Sequence, residues 1–196
     1  MQENSFKFFT LNYWRSIDKK ILFCFLILFF LGLFFSFSST SSLAGERLNK
    51  DYYFFFTKHL IFTILAISIM MIISFIRTEV LIKLVIPAFV VSFIFLAIVP
   101  IIGVEAKGAR RWLNLYFFNL QPVEILKPLF ILMTVKILTY KNFQNSHIKY
   151  LLSFILLSCI IILLIDQPDL GQSILLFSSW IATVFVSGVS LIYIGV

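Results

Sequence analysis

Between Gly103 and Lys127 the chain gathers two carboxylates, Glu105 and Glu124, and four cations, Lys107, Arg110, Arg111 and Lys127, between long apolar runs. Charge is costly near hydrocarbon, so such a cluster is by default a functional-site candidate. Pro122 suits the first position of a helix, with Gln121 flanking it. From that start Gln121, Glu124 and Lys127 are spaced i, i+3, i+6 and fall near one helix face. Glu124 then sits in the first turn, where the helix dipole favours a carboxylate. Pro128 has no amide hydrogen for the carbonyl of residue 124 and is expected to kink the helix. Two readings follow. Glu124 and Lys127 form an ion pair that makes their burial tolerable, or the pair founds an anion or sugar site. In the second reading Arg110 or Arg111 supplies the fork that suits phosphate oxygens, and helix N-termini add backbone N–H groups.

The run Asp166-Gln167-Pro168-Asp169-Leu170-Gly171 repeats the device. Pro168 is expected to start another helix, with Asp169 in its first turn. Asp169 either caps that helix or faces the same cavity as Glu124, where it meets a cation or a basic side chain. Trp112 is an interfacial anchor or a stacking platform, the anchor being the better reading. No Gly-rich phosphate loop, H-E-x-x-H or G-x-S-x-G is present. No Ser has a His and an acid at meaningful spacing. His59 and His147 fall at span ends and read as interfacial. Cys24 and Cys159 lack metal or redox spacing and read as small hydrophobes. No metal site is expected from these motifs; the one admitted cofactor is a divalent cation.

The elements that must position these residues are membrane helices. The chain is 196 residues, 61% hydrophobic and 13% charged, with mean hydropathy +1.03. Soluble domains carry about 25% charged residues, and a soluble fold of this size could not hide so much apolar surface. Runs of roughly 17–25 apolar residues cross a bilayer as helices. Spans are expected at Ile21–Phe37, His59–Ile76, Leu84–Ile102, Pro122–Thr139, Tyr150–Ile165 and Pro168–Ile192. The fourth carries Lys127 and Lys136 and would be missed by hydropathy alone. The first is read as an uncleaved helix rather than a signal peptide, because its apolar run exceeds the usual length. Ser38–Lys58 reads as an outer loop with interfacial Asp51-Tyr52-Tyr53, Arg77–Lys83 as a tight inner turn, and Lys141–Lys149 as an inner loop. The N-terminal tail, with Lys7, Arg15, Lys19 and Lys20, tips the positive-inside balance toward an inner N-terminus. The charged cluster then lies outside. The net charge of +7 has no basic stripe or nucleic-acid motif behind it and points to anionic lipid instead of nucleic acid.

Three motifs carry a resemblance. Lys107-Gly108-Ala109-Arg110-Arg111-Trp112-Leu113-Asn114-Leu115 is similar to K/N-G-A-x-R-W-[IL]-x-L. Gln121-Pro122-Val123-Glu124, with Lys127, is similar to Q-P-[SA]-E-x-x-K. Gln167-Pro168-Asp169-Leu170-Gly171 matches Q-P-D-[LF]-G. In this order they resemble the SEDS family of bacterial cell-wall polymerases, the FtsW/RodA/SpoVE group, and Asp18 with the apolar run after it resembles the family's first span. Gly103–Trp112 and Gly171–Trp180 look most like the division-associated FtsW branch, particularly its alphaproteobacterial members. The first outer loop, Ala44-Gly45-Glu46-Arg47, is similar to that branch. Val123 departs from the usual Ser or Ala, and Tyr116 stands where Gly is common.

The resemblance implies an all-α polytopic bundle of about ten spans of roughly 20 residues each, of which six are expected here. It implies a tail at residues 1–20 and the first half of the membrane domain at residues 21–196. It implies glycosyl transfer from lipid II to growing glycan strands at the outer face of the bacterial inner membrane, at the division septum. Its implied partners are a class B penicillin-binding protein, other division proteins and membrane lipids. The family's proposed catalytic Asp belongs to a loop beyond span seven, past Val196. The catalytic base is therefore unassigned, and Arg111, Gln121, Glu124, Lys127 and Asp169 are assigned to the substrate cavity and its support. The 196 residues alone are expected not to polymerise. The competing readings are a lipid II flippase and a non-catalytic divisome scaffold.

Overall fold

A computed structural model of the chain describes residues 17–39, 53–106, 108–116, 118–140 and 145–188. The chain divides after Arg77 into two compact units. The first is a pair of helices, α1 (Lys19–Ser39) and α2 (Phe54–Phe75). Asp18 opens α1: its Oδ1 accepts from the backbone N–H groups of Lys20 and Ile21 at 2.9 and 3.3 Å, the standard answer to orphaned amide donors. Phe37 meets Tyr53 and Phe56 where the two helices are joined. Thr63 is the one buried residue among the described positions of these helices.

The second unit holds α3 (Thr78–Ile102), a short ribbon of β1 (Val104–Ala106), β2 (Ala109–Asn114) and β3 (Asn119–Leu120), then α4 (Pro122–Leu138), α5 (Ser146–Asp166) and α6 (Leu170–Val186). Each helix turns one stripe inward at helical spacing. In α4 the stripe is Val123, Leu126, Phe130 and Thr134. In α5 it is Ser153, Leu157, Ile160 and Leu164, and in α6 Ser173, Leu176, Trp180 and Val184. Small hydroxyl residues within these stripes let helices approach closely, as membrane bundles require. Their polar atoms are mostly satisfied internally. Trp180 Nε1 donates to Ser153 Oγ at 3.1 Å, and Ser153 donates to the Tyr150 carbonyl at 2.8 Å. The opposite faces are apolar and exposed, the arrangement expected of helices that meet hydrocarbon.

Six helices stand where six spans are expected. By length and composition four of them, α1, α2, α3 and α5, suffice to cross a membrane. Helices α4 and α6 have 17 residues each, which at 1.5 Å per residue is about 25 Å. Helix α2 begins at Phe54 rather than His59, and α3 begins at Thr78 rather than Leu84. The turn expected at Arg77–Lys83 is thus confined to Ile76 and Arg77, because Thr78–Lys83 lacks any helix breaker and Glu79 favours a first turn. The tail before residue 17, the motif Ala44–Arg47, Asp51, Tyr52, Lys107, Lys141 and the last eight residues lie outside the described residues.

Residues 104–106, 109–114 and 119–120 form a strand ribbon, which the all-α reading did not anticipate. Strands β1 and β2 pair antiparallel with Val104 opposite Trp112, Glu105 opposite Arg110 and Ala106 opposite Ala109. Strand β3 adds Leu113 opposite Leu120. Gly108 makes the tight turn possible at φ +78°, a left-handed conformation that a Cβ penalises.

Candidate functional site

The ribbon, the start of α4, the end of α5 and the start of α6 meet at one end of the second unit. Alternation along β2 buries Ala109 and Leu113 and turns Arg111 to the same face, while Arg110 and Trp112 face out. The pairing register slips at this point. Val104 faces Trp112 and Glu105 faces Arg110, which leaves Arg111 as the extra residue of the strand. Such a bulge re-aims a side chain.

Arg111 is aimed at the end of α5. Its Nε donates to the Gln167 carbonyl at 3.2 Å, and Nη2 donates to the Pro168 carbonyl. Its Nε also lies 3.8 Å from Asp169 Oδ2. A planar fork with several donors serves this purpose better than a point charge, and a cation at a helix C-terminus is favoured by the dipole.

Asp169 is the N-cap of α6, with the Gln172 backbone N–H at 3.4 Å from its Oδ1. Its other oxygen accepts from Gln121 Nε2 at 3.3 Å. Asp169 thus caps a helix and meets the basic side chain of Arg111. Pro168 does not start α6. It sits one residue before the cap, since Asp169, a strong N-cap former, takes that position. Gln121-Pro122 behaves as expected, with Gln121 as N-cap and Pro122 in the first helical position of α4.

Glu124 and Lys127 form the second half of the site. Lys127 Nζ lies 2.7 Å from Glu124 Oε2, with side-chain exposures of 18% and 51%. The ammonium also donates to Gln172 Oε1 at 2.9 Å, and Gln172 Nε2 donates to Glu124 Oε1 at 3.0 Å. The five residues singled out in the sequence, Arg111, Gln121, Glu124, Lys127 and Asp169, are thereby joined in one network, with Gln172 between its halves. Their formal charges cancel: Arg111 and Lys127 against Glu124 and Asp169. The network therefore carries no excess charge. Arg110 stands apart on the exposed side of the ribbon, 3.8 Å from Glu105 and 3.3 Å from the Pro100 carbonyl.

Two residues of the network escaped the sequence reading as site members. Gln172 follows Asp169 by three positions, the spacing of a capping box, which is the signal that could have found it. Gln167 is buried, and its Nε2 donates to the Leu96 carbonyl at 3.1 Å. Leu96 lies four residues before Pro100, which has no N–H to offer it. Gln167 thus supplies the donor that the helix lacks and fixes α3 to the α5–α6 turn. Among the described residues no group of three or more His, Cys, Asp or Glu converges as a metal site. Asp169 is met by a guanidinium and an amide rather than by further carboxylates, which is a poor donor set for a divalent cation.

Residues 18–196 match the family model described as cell cycle protein, of the FtsW/RodA/SpoVE type. The chain is 33% identical over 176 residues to the probable peptidoglycan glycosyltransferase FtsW of Wigglesworthia glossinidia brevipalpis, covering 89% of this chain and 46% of that protein. It is 30% identical to the protein of the same description from Caulobacter vibrioides, covering 93% and 47%. Among solved structures it is similar to a chain of a peptidoglycan synthase complex that coordinates polymerization and crosslinking. That similarity has a TM-score of 0.71 at 25% identity and covers 88% of this chain and 48% of the other. It also resembles the rod shape determining protein RodA of Thermus thermophilus, with a TM-score of 0.64 at 26% identity, over 81% and 54%. The chain spans about half the length of the curated relatives it matches.

Proposed function

This chain belongs to the FtsW/RodA/SpoVE family of cell cycle proteins and is a multi-pass membrane protein, and we propose that it is part of a peptidoglycan glycosyltransferase that polymerises lipid II into glycan strands during cell division. The observation that carries this reading is the paired Glu124 and Lys127 at the start of α4, held beside Asp169 and Arg111. Lipid II presents a sugar on a polyprenyl pyrophosphate. In the transfer the bond from the anomeric carbon to the pyrophosphate breaks, a bond to an acceptor hydroxyl forms, and the hydroxyl proton passes to a base. Negative charge grows on the departing pyrophosphate, and a preorganised ammonium in a partly dry site stabilises it. Lys127 has that position. Arg111 is engaged by the end of α5, so its part is to support the site: it holds Asp169, which holds Gln121 and the start of α6. No residue of the chain is assigned as the base.

We place the N-terminal tail, residues 1–20, in the cytoplasm and residues 21–196 in the bacterial inner membrane, with the charged end at the outer face, at the septum. The cations of the tail support this orientation. The partner is a class B penicillin-binding protein that crosslinks the strand. Its support is the similarity to a chain from a complex of polymerization and crosslinking.

The test is binding of fluorescent lipid II to the chain in nanodiscs. Lipid II is expected to bind, and Lys127→Met and Glu124→Ala are expected to weaken it at least tenfold, about 1.4 kcal/mol. Wild-type chain that fails to bind lipid II, or binding indifferent to both substitutions, overturns the reading.

A further inference from the structure

We infer that Gln172 is a positioning residue for Lys127, setting the ammonium that receives the pyrophosphate; the inference rests on the reading of this end as a lipid pyrophosphate site. A lysine ammonium has three donors on a long, flexible stem. Glu124, three residues earlier on the same helix, takes one of them. Its carboxylate is half exposed, so that contact alone leaves the ammonium free to swing about a mobile partner. Gln172 takes the second donor from a different helix, at 2.9 Å. Gln172 also donates to Glu124 and restrains it, and the two partners on two helices together define the direction of the third donor, which is the one left for a ligand oxygen.

Three features single out Gln172. Its side chain both accepts from Lys127 and donates to Glu124, closing a three-residue ring of hydrogen bonds. Among uncharged side chains, an amide combines an acceptor and a donor in this way, and glutamine has the longer reach. Its spacing from Asp169 is that of a capping box, in which such a glutamine turns back to the N-cap amide. Here the Asp169 N–H is already taken by the Leu164 carbonyl at 2.9 Å, and the Gln172 side chain is turned to α4 instead. Its own backbone is held by Asp169 Oδ1. The glutamine is therefore anchored at its main chain by one half of the network and acts with its side chain on the other.

Two measurements on the full chain in nanodiscs test this. The first needs no ligand: the rate at which a water-soluble acylating reagent modifies Lys127, read by mass spectrometry against Lys136 of the same molecule. Gln172→Met keeps the length and loses both hydrogen bonds, and it is expected to raise the Lys127 rate at least fivefold. Gln172→Glu keeps the acceptor for Lys127 and is expected to leave the rate within twofold of wild type. An unchanged rate in Gln172→Met, or a rise in Gln172→Glu, overturns the inference. Should Gln172→Met not fold, Gln172→Ala, which also loses both hydrogen bonds and adds no bulk, carries the same expectation and the same refutation.

The second measurement is the affinity for inorganic pyrophosphate. Gln172→Met is expected to weaken it about tenfold, as loss of one hydrogen bond to a charged group would. In a Lys127→Met background the same change is expected to do nothing further. Equal losses in both backgrounds would mark a structural tie between α4 and α6 and overturn the inference. A wild type that does not bind pyrophosphate overturns the reading of the site, while the acylation rates still judge Gln172.

Discussion

The hydrogen bond from Gln167 to the Leu96 carbonyl offers a sharp test of how this end of the bundle is held. Leu96 is fully buried, and its carbonyl would ordinarily accept from the N–H of residue 100, which is proline. Replacing Gln167 with Met conserves volume and removes the donor. A buried carbonyl left without a partner costs about 1–3 kcal/mol. Taking the middle of that range, and about 2–4 °C per kcal/mol for a chain of this size, Gln167→Met should lower Tm by about 4–8 °C. The decisive step is a second substitution. Pro100→Ala restores an N–H four residues after Leu96, so the helix itself satisfies the carbonyl. In that background Gln167→Met should cost less than about 0.5 kcal/mol, giving a coupling of about 1.5 kcal/mol in a double-mutant cycle. Thermal unfolding in detergent micelles, followed by helical circular dichroism, measures all four proteins. The Arg110 contact to the carbonyl of residue 100 survives in each, since that carbonyl is retained. Equal losses with and without the Pro100→Ala substitution would show that Gln167 acts by packing and would refute the argument.

Two further expectations for the backbone and one for the clamp use the same thermal assay. Gly108 has φ +78° with no atom within 4 Å of an added Cβ, so Gly108→Ala pays for conformation alone and should cost about 1 kcal/mol, a fall of about 2–4 °C. Tyr116 has φ +69° and is almost wholly exposed, so Tyr116→Gly should relieve backbone strain, with a net gain of about 0.5 kcal/mol after the added unfolded-state entropy; a fall in Tm would show that the ring contributes more than its conformation costs. Arg111→Lys keeps the charge and cannot span the Gln167 and Pro168 carbonyls together, so it should lose about 1–2 kcal/mol, and a Tm within about 1 °C of wild type would count against the clamp.

Tyr116 also shows what kind of information the sequence carried. It stood out as a departure from Gly, and the structure supplies the reason: the backbone there is left-handed, and glycine is the residue with no penalty for it. The start of α4 was legible for a similar reason, because Pro122, Glu124 and Lys127 act on their own helix within two turns. The ribbon was less legible. Gly108 is a residue suited to a tight turn, but the adjacent arginines of β2 hide the alternation that would mark a strand. The two Gln-Pro sequences mislead in another way. They look alike, yet Pro122 begins a helix while Pro168 precedes a cap, because Asp169 follows at once and Val123 does not compete.

The remaining contacts join residues far apart in the chain: Gln167 with Leu96, Arg111 with Gln167, Lys127 with Gln172. No periodicity encodes such pairs. They do share a physical cause, since each places a long polar side chain where another requirement is unmet. Gln167 answers the carbonyl that Pro100 leaves open, Arg111 answers the carbonyls at the end of α5, and Gln172 answers an ammonium with donors to spare. In a bundle with little water each such deficit must be met by protein. A proline, a helix end or a lysine within an apolar span therefore announces that a partner exists, and the fold decides which glutamine or arginine it is.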